Sequence, residues 1–129
     1  MDYTLDVLKM ARGIIALPEH WTQQASARDI EGVPVHVNSS KAYCFCSTGA
    51  IQRAAEIGGV GGRLSAAWVL GEVLSSHKTY HPAGDFSQII AFNDERDLMI
   101  DLKDDLPLRH AKVLALFDAA IAKLEGVSA

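Results

Sequence analysis

The sequence predicts a mainly α fold: one small helical domain of four to five helices with one short β-hairpin. Three observations carry this reading. Apolar residues recur at helical spacing in several separate stretches. Proline and glycine clusters punctuate those stretches at intervals suited to short helices. One segment, Val33 to Val37, alternates apolar and other residues as a strand does.

Residues 3–17 form the first helix. Leu5, Leu8, Ala11 and Ile15 share a face, Asp6, Lys9 and Arg12 point away, and Pro18 stops the run. From His20 to Gly32 the chain reads as irregular. Val33, Val35 and Val37 follow as a strand that Pro34 confines to an edge. The second helix spans 46–57 through Cys46, Ala50, Arg53, Ala54 and Ile57, and the glycines from Gly58 to Gly62 end it. A third helix from Leu64 to Leu74 turns Leu64, Ala67, Trp68, Gly71 and Leu74 inward. Residues 75–85 read as loop, and Phe86 to Asn93 as a short helix with Phe86, Ile89, Ile90 and Asn93 on one face. In the acidic stretch 94–106, Leu98, Ile100 and Leu102 alternate like a short strand. Pro107 then opens the last helix, whose stripe is Val113, Phe117, Ala120 and Leu124, widened by Leu114 and Ile121.

Composition bounds the function. The 129 residues make one domain, 1–129, with 49% apolar and 22% charged residues, too apolar for a disordered chain. A formal charge of -4 and scattered Lys and Arg argue against duplex nucleic acid as partner. No apolar run reaches the roughly 20 residues of a membrane span, and the N-terminus lacks a signal-peptide pattern. Cys44 and Cys46 are too close in sequence for an unstrained disulfide. Free thiols fit a cytoplasmic setting.

Three constellations could carry chemistry. Cys46 at a helix start, with His110 and Asn93-Asp94 later in the chain, supplies nucleophile, base and orienting group for a cysteine-dependent hydrolase. The bland reading makes Cys46 a small buried residue and His110 a surface residue on the polar side of the last helix. Cys44, Cys46, His77 and His81 are soft metal ligands, but a single residue between the cysteines is the wrong spacing for zinc, so no metal or cofactor is expected. The glycines before Arg63 offer backbone amides to an anion, with Arg28 and Arg53 as further cations. A flexible turn between helices is the better reading of them. Trp21 and Trp68 read as core anchors or, if exposed, as binding hot spots.

Four blocks stand in order along the chain. Trp21 stands with Ala27-Arg28-Asp29 and Gly32. Cys46-Ser47-Thr48-Gly49-Ala50 opens the second block, Phe92-Asn93-Asp94 the third, and the helix from His110 to Ile121 closes the set. The set resembles a bacterial and phage family, a domain of unknown function, in which many members carry tryptophan at the position of Phe92. The resemblance implies a compact helical domain and picks out Arg28, Asp29, Cys46, Asn93, Asp94 and His110 as polar positions of the pattern. It brings no activity.

The leading functional expectation is a small acidic binding protein, one version being an inhibitor of a host or defence-system protein. Its acidic face would comprise Asp94, Glu95, Asp97, Asp101, Asp104 and Asp105. One alternative is a protein that sequesters a small anionic ligand such as a nucleotide through Arg28, Arg53 and Arg63. The other is the cysteine-dependent hydrolase using Cys46, His110 and Asp94.

Overall fold

In the computed structural model, residues 2–75 and 86–126 are described. Five helices and one two-stranded sheet are found among them. They run in the order α1 (Thr4–Ile14), β1 (Ala27–Arg28), β2 (Cys44–Phe45), α2 (Ser47–Gly58), α3 (Arg63–Ser75), α4 (Phe86–Asp94) and α5 (Leu102–Glu125). A single 3-10 turn, Pro18–His20, follows α1.

Helix α1 packs against α2, α3 and α5. Its buried face is Thr4, Val7, Leu8 and Ala11, with Ile15 just past its end. Leu5 is only half-buried, because Val7 and Leu8 are one residue better placed between the three neighbours. The proline ends nothing by itself. The helix stops at Ile14, and Pro18 starts the 3-10 turn at its first position, where the missing N–H costs little.

The hairpin exists, but not where alternation placed it. Ala27 pairs with Phe45 and Arg28 with Cys44, antiparallel. Of the valine segment, only Pro34 forms a bridge, to Arg28. The Val35 N–H donates to the Ala27 carbonyl, and Val37 is buried while Val33 is exposed. Asp29 explains the tight return of the chain. Its Oδ1 accepts from the N–H groups of Glu31 and Val33, both at 2.9 Å, leaving the backbone of the turn satisfied.

Helix α2 begins on Cys46 as N-cap and ends on Gly59 in the left-handed conformation (φ 62°), which only glycine adopts freely. The glycine run is thus a helix connector. Gly62, also left-handed (φ 109°), lies against Val7 and the Tyr3 backbone, where a side chain would press on α1. In α3 the buried residues are Ala66, Ala67, Val69, Leu70, Gly71 and Leu74. Leu64 and Trp68, expected inward, are exposed. This helix is apolar nearly all round, so its sequence does not say which face is covered.

In α4, Gln88, Ile89 and Asn93 are buried and Ile90 is exposed, again a rotated face. Leu98, Ile100 and Leu102 form no strand. The chain turns at 97–100 and α5 starts at Leu102, five residues before Pro107. Asp101 is its N-cap residue, and its carbonyl accepts the N–H groups of Asp104 and Asp105. The proline inside the helix removes one bond, from the Lys103 carbonyl. Both Lys103 and Pro107 are exposed, so water can satisfy that carbonyl. The stripe of α5 is as expected at Val113, Phe117 and Ala120, joined by Leu116, while Leu124 is exposed. Fully burying a residue such as Phe117 contributes roughly 1.5–3 kcal/mol.

No helix among the described residues is long and apolar enough to cross a membrane.

Candidate functional site

One buried asparagine organises the polar interior. Asn93, wholly buried near the end of α4, accepts at Oδ1 from Trp21 Nε1 (2.8 Å), the Ser47 N–H (3.0 Å) and Ser47 Oγ (2.7 Å). Its Nδ2 donates to the Thr22 carbonyl and to Asp94 Oδ1, both at 3.0 Å. Every capacity of the amide is used, so the network is fully satisfied despite its burial. Asp94 extends it by accepting the Gln24 N–H at 2.9 Å, and Gln23 Nε2 donates to the Asn93 carbonyl at 3.0 Å. Gln24 sits in the left-handed region (φ 64°), a strained position that these bonds hold.

The segment Cys46-Ser47-Thr48-Gly49 is the other half of this junction. The Cys46 N–H donates to the Ser26 carbonyl, and Cys46 Sγ accepts the Gly49 N–H at 3.3 Å and lies 3.3 Å from Thr48 Oγ1. A Cβ at Gly49 would collide with the Ser26 carbonyl oxygen. The spacing Cys-x-x-Gly therefore has a packing cause: the cysteine caps the helix and the glycine lets the 26–27 backbone approach it. The block Cys46-Ser47-Thr48-Gly49-Ala50 marks these positions in the sequence, but their roles, a bond from Ser47 to Asn93 and room at Gly49 for Ser26, are set by tertiary packing.

The predicted triad does not line one common cavity. Cys46 and Asp94 line one small cavity of about 200 Å³. His110 lines another. Its Nε2 lies 2.7 Å from the Ile15 carbonyl, to which it donates, and its ring tilts against Trp21 at 5.4 Å between centroids. His110 is buried on α5 rather than on the polar side of that helix, because it stands three residues before Val113 and seven before Phe117, on the face of the core stripe. Both cysteines are buried and free.

The predicted cations do not converge either. Arg28 is half-buried and donates to Thr22 Oγ1, the Gly32 carbonyl and the Gln23 carbonyl at 3.0–3.1 Å, tying the hairpin to the Trp21 segment. Arg53 donates to the Val37 carbonyl at 2.7 Å and lies over Phe45. Arg63 lies over Phe86. His77 and His81 lie outside the described residues; no cluster able to hold a metal occurs among the described ones.

The acidic stretch divides in two. Asp105 is buried, so it belongs to the interior and not to an acidic face. Its Oδ2 accepts from Arg96 Nε at 2.8 Å and from the Asp97 N–H at 3.0 Å. Desolvation pushes its pKa up, but the Asp97 N–H, Arg96 and Arg109 together outweigh it and hold the carboxyl below its ordinary value. Arg109, also buried, pairs with Glu95 at 2.6 Å and covers the Phe92 ring at 5.1 Å, leaving Nε and Nη1 without a hydrogen-bond partner. Asp97, Asp101 and Asp104 are exposed.

Between these two pairs the chain makes a turn closed by the Ile100 N–H on the Asp97 carbonyl, and Asp97 Oδ1 accepts the Met99 N–H at 2.9 Å. Its two central residues, Leu98 and Met99, are 86% and 90% exposed. Ile30, Val33 and Leu102 are further exposed apolar residues.

The model of a family of unknown function, DUF6197, matches residues 2–123, and the chain belongs to that family. No curated protein and no solved structure matches it.

Proposed function

We propose that this chain is a non-enzymatic binding protein whose contact element is the turn between α4 and α5. The observation that carries this is the exposure of Leu98 and Met99 on a turn with a fixed base. Two large apolar side chains held almost wholly in water contribute nothing to the fold. They gain free energy only by entering a partner's cleft. The turn is already ordered by the Arg96–Asp105 and Arg109–Glu95 pairs and by the Asp97 carboxylate, so little conformational freedom is lost on docking.

The exposed carboxylates of Asp97, Asp101 and Asp104 surround the apolar tip, with only Lys103 interspersed. The partner that fits is a protein with an apolar cleft rimmed by Lys and Arg. A basic nucleic-acid channel of a host or defence-system protein has this character, which supports the finer reading of a bacterial or phage inhibitor. The test compares partner capture by the unaltered chain and by a Leu98→Ser, Met99→Ser double variant. Capture should be lost in the double variant and kept in Ile30→Ser, an exposed apolar position elsewhere.

A further inference from the structure

An open cavity of about 440 Å³ lies beside the Trp21 segment, lined among others by Trp21, Arg28, Arg96, Leu102, Leu106 and His110. Its volume suits a small molecule. The chain as a whole is acidic, at -4, yet among the described residues no Asp or Glu lines this cavity while two arginines do. Arg28 uses three of its five N–H groups on neutral oxygens, and no carboxylate pairs with it among the described residues. Arg96 commits its Nε to Asp105, and among the described residues no hydrogen bond engages its terminal amino groups. Two guanidinium groups with spare donors thus border one cavity, and guanidinium matches the geometry of carboxylate and phosphate.

Besides the polar residues Thr22, Gln23 and Gln24, the walls carry rings and apolar side chains. The Trp21 and His110 rings lie against each other, and Leu102, Leu106 and Pro107 come from the first turns of α5. His110 gives Nε2–H to the Ile15 carbonyl, which fixes its ring against Trp21. We propose that this cavity binds a small oxyanion carried on a flat ring, with Arg28 and Arg96 holding the anion and Trp21, Leu102 and Leu106 the ring. The site adjoins the base of the docking turn, since Arg96 serves both, but neither Leu98 nor Met99 is among the residues that line it. Nucleoside monophosphates and aromatic carboxylates share this chemistry.

The two tryptophans allow a direct reading. Trp68 is exposed on α3 and does not line the cavity, so Trp68→Phe leaves Trp21 as the sole tryptophan reporter beside the ligand. In that background, adenosine and guanosine monophosphate, benzoate, adenosine and inorganic phosphate are titrated while Trp21 emission is followed. A saturable change below about 1 mM is expected for the monophosphates or for benzoate, and the responding arm names the source of the ring. Adenosine and phosphate should bind at least about tenfold more weakly, since each lacks half of the ligand. Leu102→Glu places a carboxylate on the wall at an exposed first-turn position that tolerates acid. It should weaken binding about tenfold. Arg96→Gln should do the same. No saturable change in any arm, an equal response to phosphate alone or to adenosine alone, or unchanged binding in both variants overturns the proposal. The Leu98→Ser, Met99→Ser variant should bind the ligand normally, which separates this site from the docking turn.

Discussion

Trp21 Nε1 lies 2.8 Å from Asn93 Oδ1, across 72 positions of sequence, and this buried bond joins the post-α1 segment to the end of α4. Because the same oxygen also takes the backbone and hydroxyl of Ser47, three separated parts of the chain meet on one atom.

Asn93→Asp should therefore destabilise about as much as Asn93→Ala, in the range of roughly 3 kcal/mol. The aspartate keeps the acceptor for Trp21 and Ser47, but it faces the Thr22 carbonyl and the Asp94 carboxylate with an oxygen where Nδ2 donated. Urea denaturation of both variants checks this. A wild-type midpoint for Asn93→Asp would show that the network is not what holds these segments.

Gly49→Ala tests the close approach of the hairpin to α2. By helix propensity alone, alanine is the better residue by about 1 kcal/mol. Here the added methyl meets the Ser26 carbonyl oxygen, a backbone atom that cannot swing aside. Destabilisation of about 1–3 kcal/mol or more is expected, and a raised Tm would contradict the packing described.

Cys46→Ser should leave the fold intact, because serine is a favoured N-cap and its oxygen can accept the Gly49 N–H. In the unaltered chain both buried thiols should react with a disulfide reagent only as fast as the protein opens. A burst of one thiol per chain under native conditions would revive the cysteine-hydrolase reading.

Asp105 sets an acid limit on stability. Its pKa is held below the ordinary carboxylate value in the folded chain. The stability it adds is thus present above the unfolded pKa and is lost as pH falls through the folded one. Asp105→Asn should flatten the decline of Tm on acidification, while lowering Tm at neutral pH because Arg96 loses its partner. A slope identical to wild type would place the acid sensitivity elsewhere.

Much of the fold was legible in local sequence. The boundaries of α2 and α4, the glycine connector and the core stripe of α5 follow from spacing and punctuation. Rotation of the helices was not. Trp68 and Ile90 sit on helices so apolar that periodicity cannot choose a face, whereas His110 shares the face of Val113 and Phe117 by its spacing alone. The candidate site was only partly readable. Asn93, Asp94, Arg28 and Cys46 stood out as polar positions, yet what they do depends on neighbours distant in sequence. Arg53 and Asp105 look like surface charges, but their partners Phe45 and Arg96 are set by tertiary packing. Arg96 went unnoticed because its neighbours in sequence are acidic.

Leu98 and Met99 are the residues through which the chain is proposed to dock. The most direct test is quantitative capture from a bacterial lysate by the tagged chain, by Leu98→Ser, Met99→Ser and by Ile30→Ser, each first shown to melt as the unaltered chain does. One stoichiometric protein, retained by Ile30→Ser and lost by the double variant, is the predicted result. A partner held equally by all three, or no stoichiometric partner for any of them, would contradict docking through this turn.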